Sequence, residues 1–160
     1  MNILKEKGIS LDKQVKTWQD IVKRPFNRDM VDNYTRTRQI LMNGIEVEAW
    51  GFKHCWVRKL DDVELKKILV SIRRIEDMQQ TTMNWLTPWR QTVLDTTLGY
   101  EQVAVDLTSW LAQNEPNSYV KETFDFGLLE DFDHLYRYSQ FANLIEETDP
   151  NEILHNMTDV

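Results

Sequence analysis

The sequence predicts an all-α protein: a single bundle of long helices with extra short helices at its ends. Glycine and proline are scarce, at 5 and 4 in 160 residues, and they fall between long apolar stretches. Within those stretches apolar residues recur at intervals of three and four, which is the period of an amphipathic helix. Alternation of apolar and polar residues never extends beyond a few positions, so nothing in the sequence indicates a strand.

Capping residues and turns set the predicted helix limits. A short helix at about 11–24 ends before Pro25, because proline cannot continue a helix. Asp61 or Asp62 is a candidate N-cap, and Thr87-Pro88 is typical of a cap followed by the first helical residue. The predicted core helices are A at about 28–59, B from 61 or 62 to 86, C from 87 to a turn at 114–117, and D at about 118–147. Asp149-Pro150 with Glu152 predicts a last short helix, all within a single domain of 160 residues whose core spans about 28–147.

Several charged or polar residues lie where a plain bundle would have leucine or isoleucine. They are Glu46, Glu76, Gln79, Glu101, Asp131 and His134. Charged side chains are almost never fully buried unless they are paired or bind a metal ion. Their positions therefore call for a physical explanation beyond packing.

The acidic positions follow an internal repeat. The separation in sequence between Glu46 and Glu76 equals that between Glu101 and Asp131, so one shift superimposes the two pairs. The same shift places Gln79 on His134, and it also matches a Gly-x-Glu triplet and an alanine. We interpret this agreement as the duplication of a helix pair, with repeats at about 34–86 and 89–147.

Helical geometry predicts that the four carboxylates meet. Each lies about 12–15 residues from the turn of its own helical hairpin, so a rise of roughly 1.5 Å per residue brings all four to one level. Residues three apart share a helix face, so Glu76 with Gln79 and Asp131 with His134 each present two ligating groups side by side. Converging carboxylates repel one another, and divalent cations would offset the cost of burying them.

This arrangement resembles the ferritin-like proteins with a dinuclear carboxylate centre, such as rubrerythrins and bacterioferritins, over about residues 34–147. The resemblance implies a ferritin-like antiparallel four-helix bundle in which Glu76 and Asp131 bridge two metal ions. Glu46 and Gln79 would complete one site, and Glu101 and His134 the other. It further implies two iron or manganese ions, an oxidoreductase acting on dioxygen or peroxide, and a homo-oligomer such as a dimer.

Three features depart from the family pattern. Gln79 stands where the family has a histidine, and an amide oxygen is a weaker neutral ligand that would leave one site weak, empty or better suited to manganese. Asp131 replaces a glutamate and reaches one methylene less far. The link at 86–88 is too short for a long crossover and favours up-down-up-down order.

Simpler interpretations of the same residues stay open. Each carboxylate is also compatible with a solvated helix face, or with an ion pair to Arg73, Arg74 or Arg137. Glu48 is an alternative to Glu46, and Glu130 to Asp131, because the helix rotation is uncertain.

Two tyrosines adjoin the proposed ligands, and the sequence also supports a second function. Tyr100 and Tyr138 are candidates for hydrogen bonding behind the ligands, as Glu130 is, for a redox-active phenol, or for packing, which the sequence favours. The alternative function is a non-catalytic helical bundle with a degenerate metal site that binds a partner or itself, which the loss of histidine at Gln79 favours.

Composition indicates which partners and which cellular compartment to expect. The net charge of −7 and a pI of about 5.0 argue against a nucleic-acid surface and give no reason to expect an anionic membrane. Cys55 is the single cysteine, so no disulfide within the chain is expected. The first residues lack the apolar core of a signal peptide, and no apolar run approaches the roughly 20 residues of a membrane span. A cytoplasmic protein is the expectation.

Overall fold

A computed structural model describes residues 3–5, 7–155 and 157, and every regular element within these ranges is helical. The α-helices are α1 Leu11–Val22, α2 Asn33–Val57, α3 Val63–Trp85, α4 Val93–Asn114, α5 Ser118–Glu146 and α6 Pro150–Leu154. Two 3-10 turns lie at Ile3–Lys5 and Arg28–Met30. The prediction of an all-α protein is confirmed. Among the described helices, none is long and apolar enough to cross a membrane.

Several predicted helix limits are confirmed, and a side-chain cap lies at each of them. The Asp62 carboxylate accepts from the Leu65 amide at 2.9 Å and starts α3. The Asn117 side chain accepts from the amides of Tyr119 and Val120 and starts α5, and Asp149 accepts from the Asn151 amide at 2.9 Å at the start of α6. These caps satisfy amides that have no partner within the first helical turn.

The predicted start of helix C at Thr87-Pro88 is wrong, because a stronger cap lies further along the chain. The Thr92 hydroxyl accepts from the Asp95 amide at 3.0 Å, and the Asp95 carboxylate accepts from the Thr92 amide at 3.0 Å. This reciprocal capping box satisfies two amides at once, so α4 begins at Val93. Pro88 lies instead in a turn closed by the Gln91 amide at 3.3 Å.

The predicted start of helix A at about 28 is also wrong. Residues 28–30 form a 3-10 turn capped by Asn27, and α2 begins at Asn33. The Asp32 carboxylate accepts from the Thr35 amide at 2.8 Å, which is the bond of an N-cap.

The chain forms two compact units. Unit 1 comprises Met1–Phe26 and Met42–Trp85, and unit 2 comprises Asn27–Leu41 and Leu86–Val160. Helix α2 contributes its first part to unit 2 and its second part to unit 1. Helices α1 and α3 lie in unit 1, and helices α4, α5 and α6 lie in unit 2.

Unit 1 is held by packing and by polar contacts between helices. Helix α1 packs against α3. The second part of α2 reaches α3 through an ion pair between Lys53 and Glu76 and a contact of 2.6 Å between the Arg73 guanidinium and His54 Nδ1. Ile75 and Thr82 are buried on α3.

Unit 2 contains two apolar clusters. Helices α4 and α5 pack along their length, and α6 packs against both. The larger cluster is formed by Leu98, Val105, Leu135 and Ala142, with Leu94, Leu128, Tyr138, Ile153 and Leu154 packed around it. The smaller cluster joins the first part of α2 to α4 through Ile40, Val103 and Met157.

Gly99 on α4 lies close to side chains from the first part of α2. A Cβ on Gly99 would lie 3.1 Å from the Arg36 guanidinium and 3.1 Å from the Ile40 Cδ1. Arg36 is buried there and donates to the Asp95 carbonyl at 2.6 Å. A side chain at position 99 would therefore require the ends of the Arg36 and Ile40 side chains to shift by a few tenths of an ångström.

Candidate metal centre

The α4–α5 hairpin brings three of the predicted ligands to one level. Glu101 is as far along the chain from the end of α4 at Asn114 as Asp131 is from the start of α5 at Ser118. Only positions 115 to 117 separate the two helices, so they run antiparallel and the two carboxylates face one another. His134 lies one turn after Asp131 on the same face of α5.

Apolar residues flank this polar level on both sides. On α4, Glu101 lies between Leu98 and Val105, and on α5 Asp131 lies between Leu128 and Leu135. The carboxylates thus occupy positions in the stripe by which the two helices pack. Because well-packed neighbours hold the backbone, the spacing between the carboxylates is set by the core of unit 2.

Ligand atoms of Glu101, Asp131 and His134 all lie within 4.8 Å of one another. His134 Nδ1 is 3.8 Å from Glu101 Oε2. Two ligands bound to one ion at roughly 2.0–2.2 Å are at most about 4.4 Å apart. A small inward movement of the side chains would therefore let all three bind a single ion.

The electrostatics of this cluster favour a cation. Burial raises the pKa of the Glu101 carboxyl, the charge of His134 opposes that rise, and the neighbouring Asp131 carboxylate adds to it. Arg137, one turn beyond Asp133, pairs with the Asp133 carboxylate at 2.6 Å. Its positive charge is thus engaged outside the cluster.

We expect Glu101→Gln to stabilise the metal-free protein at neutral pH. The pKa of Glu101 is raised in the folded state, so this carboxyl contributes stability below its ordinary pKa and loses that contribution as the pH rises through the raised value. Glutamine stays neutral and avoids the loss. The check is the midpoint of thermal unfolding of chelator-treated protein at about pH 4 and about pH 7, where the gain should appear only at the higher pH.

Glu122→Gln is the matched control, since this residue is an exposed carboxylate on α5. It should leave the midpoint nearly unchanged at both pH values. A lower midpoint for Glu101→Gln at neutral pH would mean that the folded protein stabilises the ionised carboxylate, contrary to this account.

Unit 1 brings together a second pair of predicted ligands, but with a lysine. Glu46 and Glu76 are each only 8% exposed. The Lys53 ammonium donates to Glu76 Oε1, and Glu76 Oε2 is buried without a hydrogen-bond partner among the described residues. Burial raises the pKa of Glu46, the Glu76 charge raises it further, and Lys53 opposes both.

Lys53 is the charged partner of Glu76, and the sequence argument did not assign it that place. It lies seven residues after Glu46, which places it two turns along the same face of α2. That spacing was the available signal. The predicted partners were Arg73 and Arg74, but Arg73 contacts His54, whose ring stacks on Trp50 with centroids 5.6 Å apart.

The remaining candidate residues are half-buried or exposed. Gln79 is half-buried one turn after Glu76. Glu48 and Glu130 are exposed, which favours Glu46 and Asp131 as the inward-facing residues. Tyr138 packs against the larger apolar cluster of unit 2, and Tyr100 is 39% exposed. A single centre that uses all six predicted ligands stays a prediction.

Comparisons with protein-family models, with curated proteins and with solved structures found no match for this chain. The resemblance to ferritin-like proteins therefore rests on the residues and their spacing.

Proposed function

We propose that this chain is a metal-binding helical protein whose ligands in unit 2 are Glu101, Asp131 and His134. The observation that carries the proposal is the convergence of two carboxylates and an imidazole within 4.8 Å at one level of the α4–α5 hairpin. Iron and manganese both accept carboxylate oxygen and imidazole nitrogen. The finer proposal, from the resemblance alone, is an oxidoreductase of dioxygen or peroxide with a dinuclear centre.

The donor set fits a divalent ion by charge and by geometry. Glu101 and Asp131 supply two negative charges, which one divalent ion neutralises. Their partial burial lowers the competition from water, because a carboxylate that is already poorly solvated loses little by exchanging water for metal. Neutral imidazole at His134 adds a ligand without adding charge.

The chain's own residues define what the site can do. Glu101 and Asp131 would hold the ion from opposite helices, and His134 would bind it from the exposed side, since 53% of the His134 side chain is exposed to solvent. Three protein ligands leave coordination positions for water or a small substrate. A bound iron or manganese ion would supply one-electron redox chemistry there.

Metal titration tests the proposal. Chelator-treated protein is dialysed to equilibrium against Mn²⁺, and against Fe²⁺ without oxygen, and bound metal is measured by elemental analysis. We expect tight binding that Glu101→Ala removes and Glu122→Ala leaves intact. Binding that is equally weak in all three proteins would exclude a metal centre in unit 2.

A second function is favoured by the Lys53–Glu76 ion pair. The Lys53 ammonium supplies positive charge beside two buried carboxylates without a metal ion, which is compatible with a degenerate metal site. A non-catalytic bundle that binds a partner or itself would show no metal-dependent oxidation of a small substrate. Its Mn²⁺ uptake would also be indifferent to Glu101→Ala.

A further inference from the structure

We infer that Lys53 takes the place of a metal ion in unit 1, so that the chain carries one metal site, in unit 2, instead of two. The inference rests on the proposed function for the ion in unit 2. It concerns a different group of residues, and it replaces the expectation that Glu46, Glu76 and Gln79 hold metal, and with it the dinuclear centre, by a single ion in unit 2.

The first support is the placement of the ammonium. Lys53 Nζ binds Glu76 Oε1, and the lysine side chain is 23% exposed whereas that of Glu76 is 11% exposed. A lysine stem that crosses from α2 to α3 to reach a buried carboxylate neutralises it from within the chain. The positive charge of Lys53 also opposes the rise in the pKa of Glu46 that burial and the Glu76 charge cause.

The second support is the comparison of the two repeats. The shift in sequence that superimposes Glu46 on Glu101 places Lys53 on Thr108 and Gln79 on His134. At these positions unit 1 therefore has a lysine ammonium and a weak amide ligand. Unit 2 has a neutral hydroxyl and an imidazole at the matching positions. Loss of the strong ligand and gain of the cation occur in the same repeat.

The third support is charge balance within each unit. One divalent ion would balance the charges of Glu101 and Asp131, and an imidazole ligand would add no charge. Glu46 and Glu76 with Lys53 carry one net negative charge, and a divalent ion beside the ammonium would create strong repulsion at short range. An ion in unit 1 would have to displace Lys53 from Glu76 and then bind through a glutamine amide in place of imidazole.

Counting bound Mn²⁺ in variants of the full chain tests the inference. We expect about one ion in the wild type and about two in Lys53→Met, which keeps an unbranched side chain one atom shorter and removes its charge. Lys53→Arg keeps the charge and should stay at about one. Lys53→Met combined with Glu76→Gln should also return to about one, since the gained site loses its main carboxylate.

The combination with His134→Ala separates this inference from the proposed function. Lys53→Met/His134→Ala should bind about one ion, in unit 1. If the wild type binds no ion but Lys53→Met gains one that Glu76→Gln removes, the proposed function fails and the role of Lys53 stands. If Lys53→Met binds as many ions as the wild type, the role of Lys53 is refuted whatever happens in unit 2.

Wild-type protein gives an independent test should Lys53→Met fail to fold. Two ions in the wild type, one of them lost in Glu76→Gln, would overturn the inference. One ion that survives Glu76→Gln and disappears in His134→Ala would support it.

Discussion

Replacing His134 with alanine is expected to lower the affinity of the chain for Mn²⁺ by about 100-fold or more. Loss of even an outer-shell partner costs roughly 10–100-fold, and His134 is the imidazole of the cluster itself. The two carboxylates that remain would hold the ion only weakly. Equilibrium dialysis against Mn²⁺ measures the loss directly.

His155→Ala is the matched control for that experiment. His155 lies at the C-cap of α6, within unit 2, and is exposed. Its backbone carbonyl accepts a hydrogen bond from Asn33, and the substitution leaves that bond in place. An equal loss of affinity in both variants, or none in His134→Ala, would contradict the assignment of His134 as a ligand.

Leu98→Ala should destabilise unit 2 by about 2–5 kcal/mol, the usual cost of leaving a cavity in place of a buried leucine. Leu98 is fully buried, at 0% exposure, one turn before Glu101. We also expect weaker Mn²⁺ binding, because the Leu98 contacts help to fix the separation of α4 and α5. Urea unfolding followed by circular dichroism gives the free energy, and amide exchange should localise the loss to those two helices.

Leu144→Ala on α5 removes the same atoms from a residue that is 79% exposed. It should change the free energy of unfolding by no more than about 0.5 kcal/mol. A comparable loss in the two variants would mean that Leu98 does not belong to the core of unit 2.

The helical character and most helix limits could be predicted because they depend on local signals. The caps at Asp62, Asn117 and Asp149 act on amides two or three residues away. The start of α4 was missed because Thr87-Pro88 and Thr92-x-x-Asp95 are both helix-start patterns. The second also gains a hydrogen bond of 2.7 Å from the Thr92 hydroxyl to Glu146, a residue far away in the sequence.

The candidate ligands in unit 2 could be predicted because one hairpin contains them. A short turn and two helices of known rise determine that Glu101 meets Asp131, without knowledge of any other helix. The ion pair in unit 1 depends on a long flexible side chain. Whether Lys53 reaches Glu76 or extends into solvent is decided by rotamers and burial, which spacing alone does not give.

The predicted repeat likewise does not determine the surroundings of matching residues. Gly44 and Gly99 occupy matching positions of the two repeats, but they meet different surroundings. A Cβ at Gly99 would press on Arg36 and Ile40, whereas none of the described atoms lies within 4 Å of a Cβ at Gly44. Identical residues at matching positions of the two predicted repeats therefore need not have the same role.

Electron spin echo spectroscopy of the Mn²⁺-loaded protein tests the central claim most directly, because it detects nitrogen bound to the ion. The chain has three histidines, and His54→Gln/His155→Gln leaves only His134. We predict a nitrogen coupling that persists in that double variant and disappears in His134→Gln. A coupling that survives in His134→Gln, or none in the wild type, would contradict a metal centre formed by Glu101, Asp131 and His134.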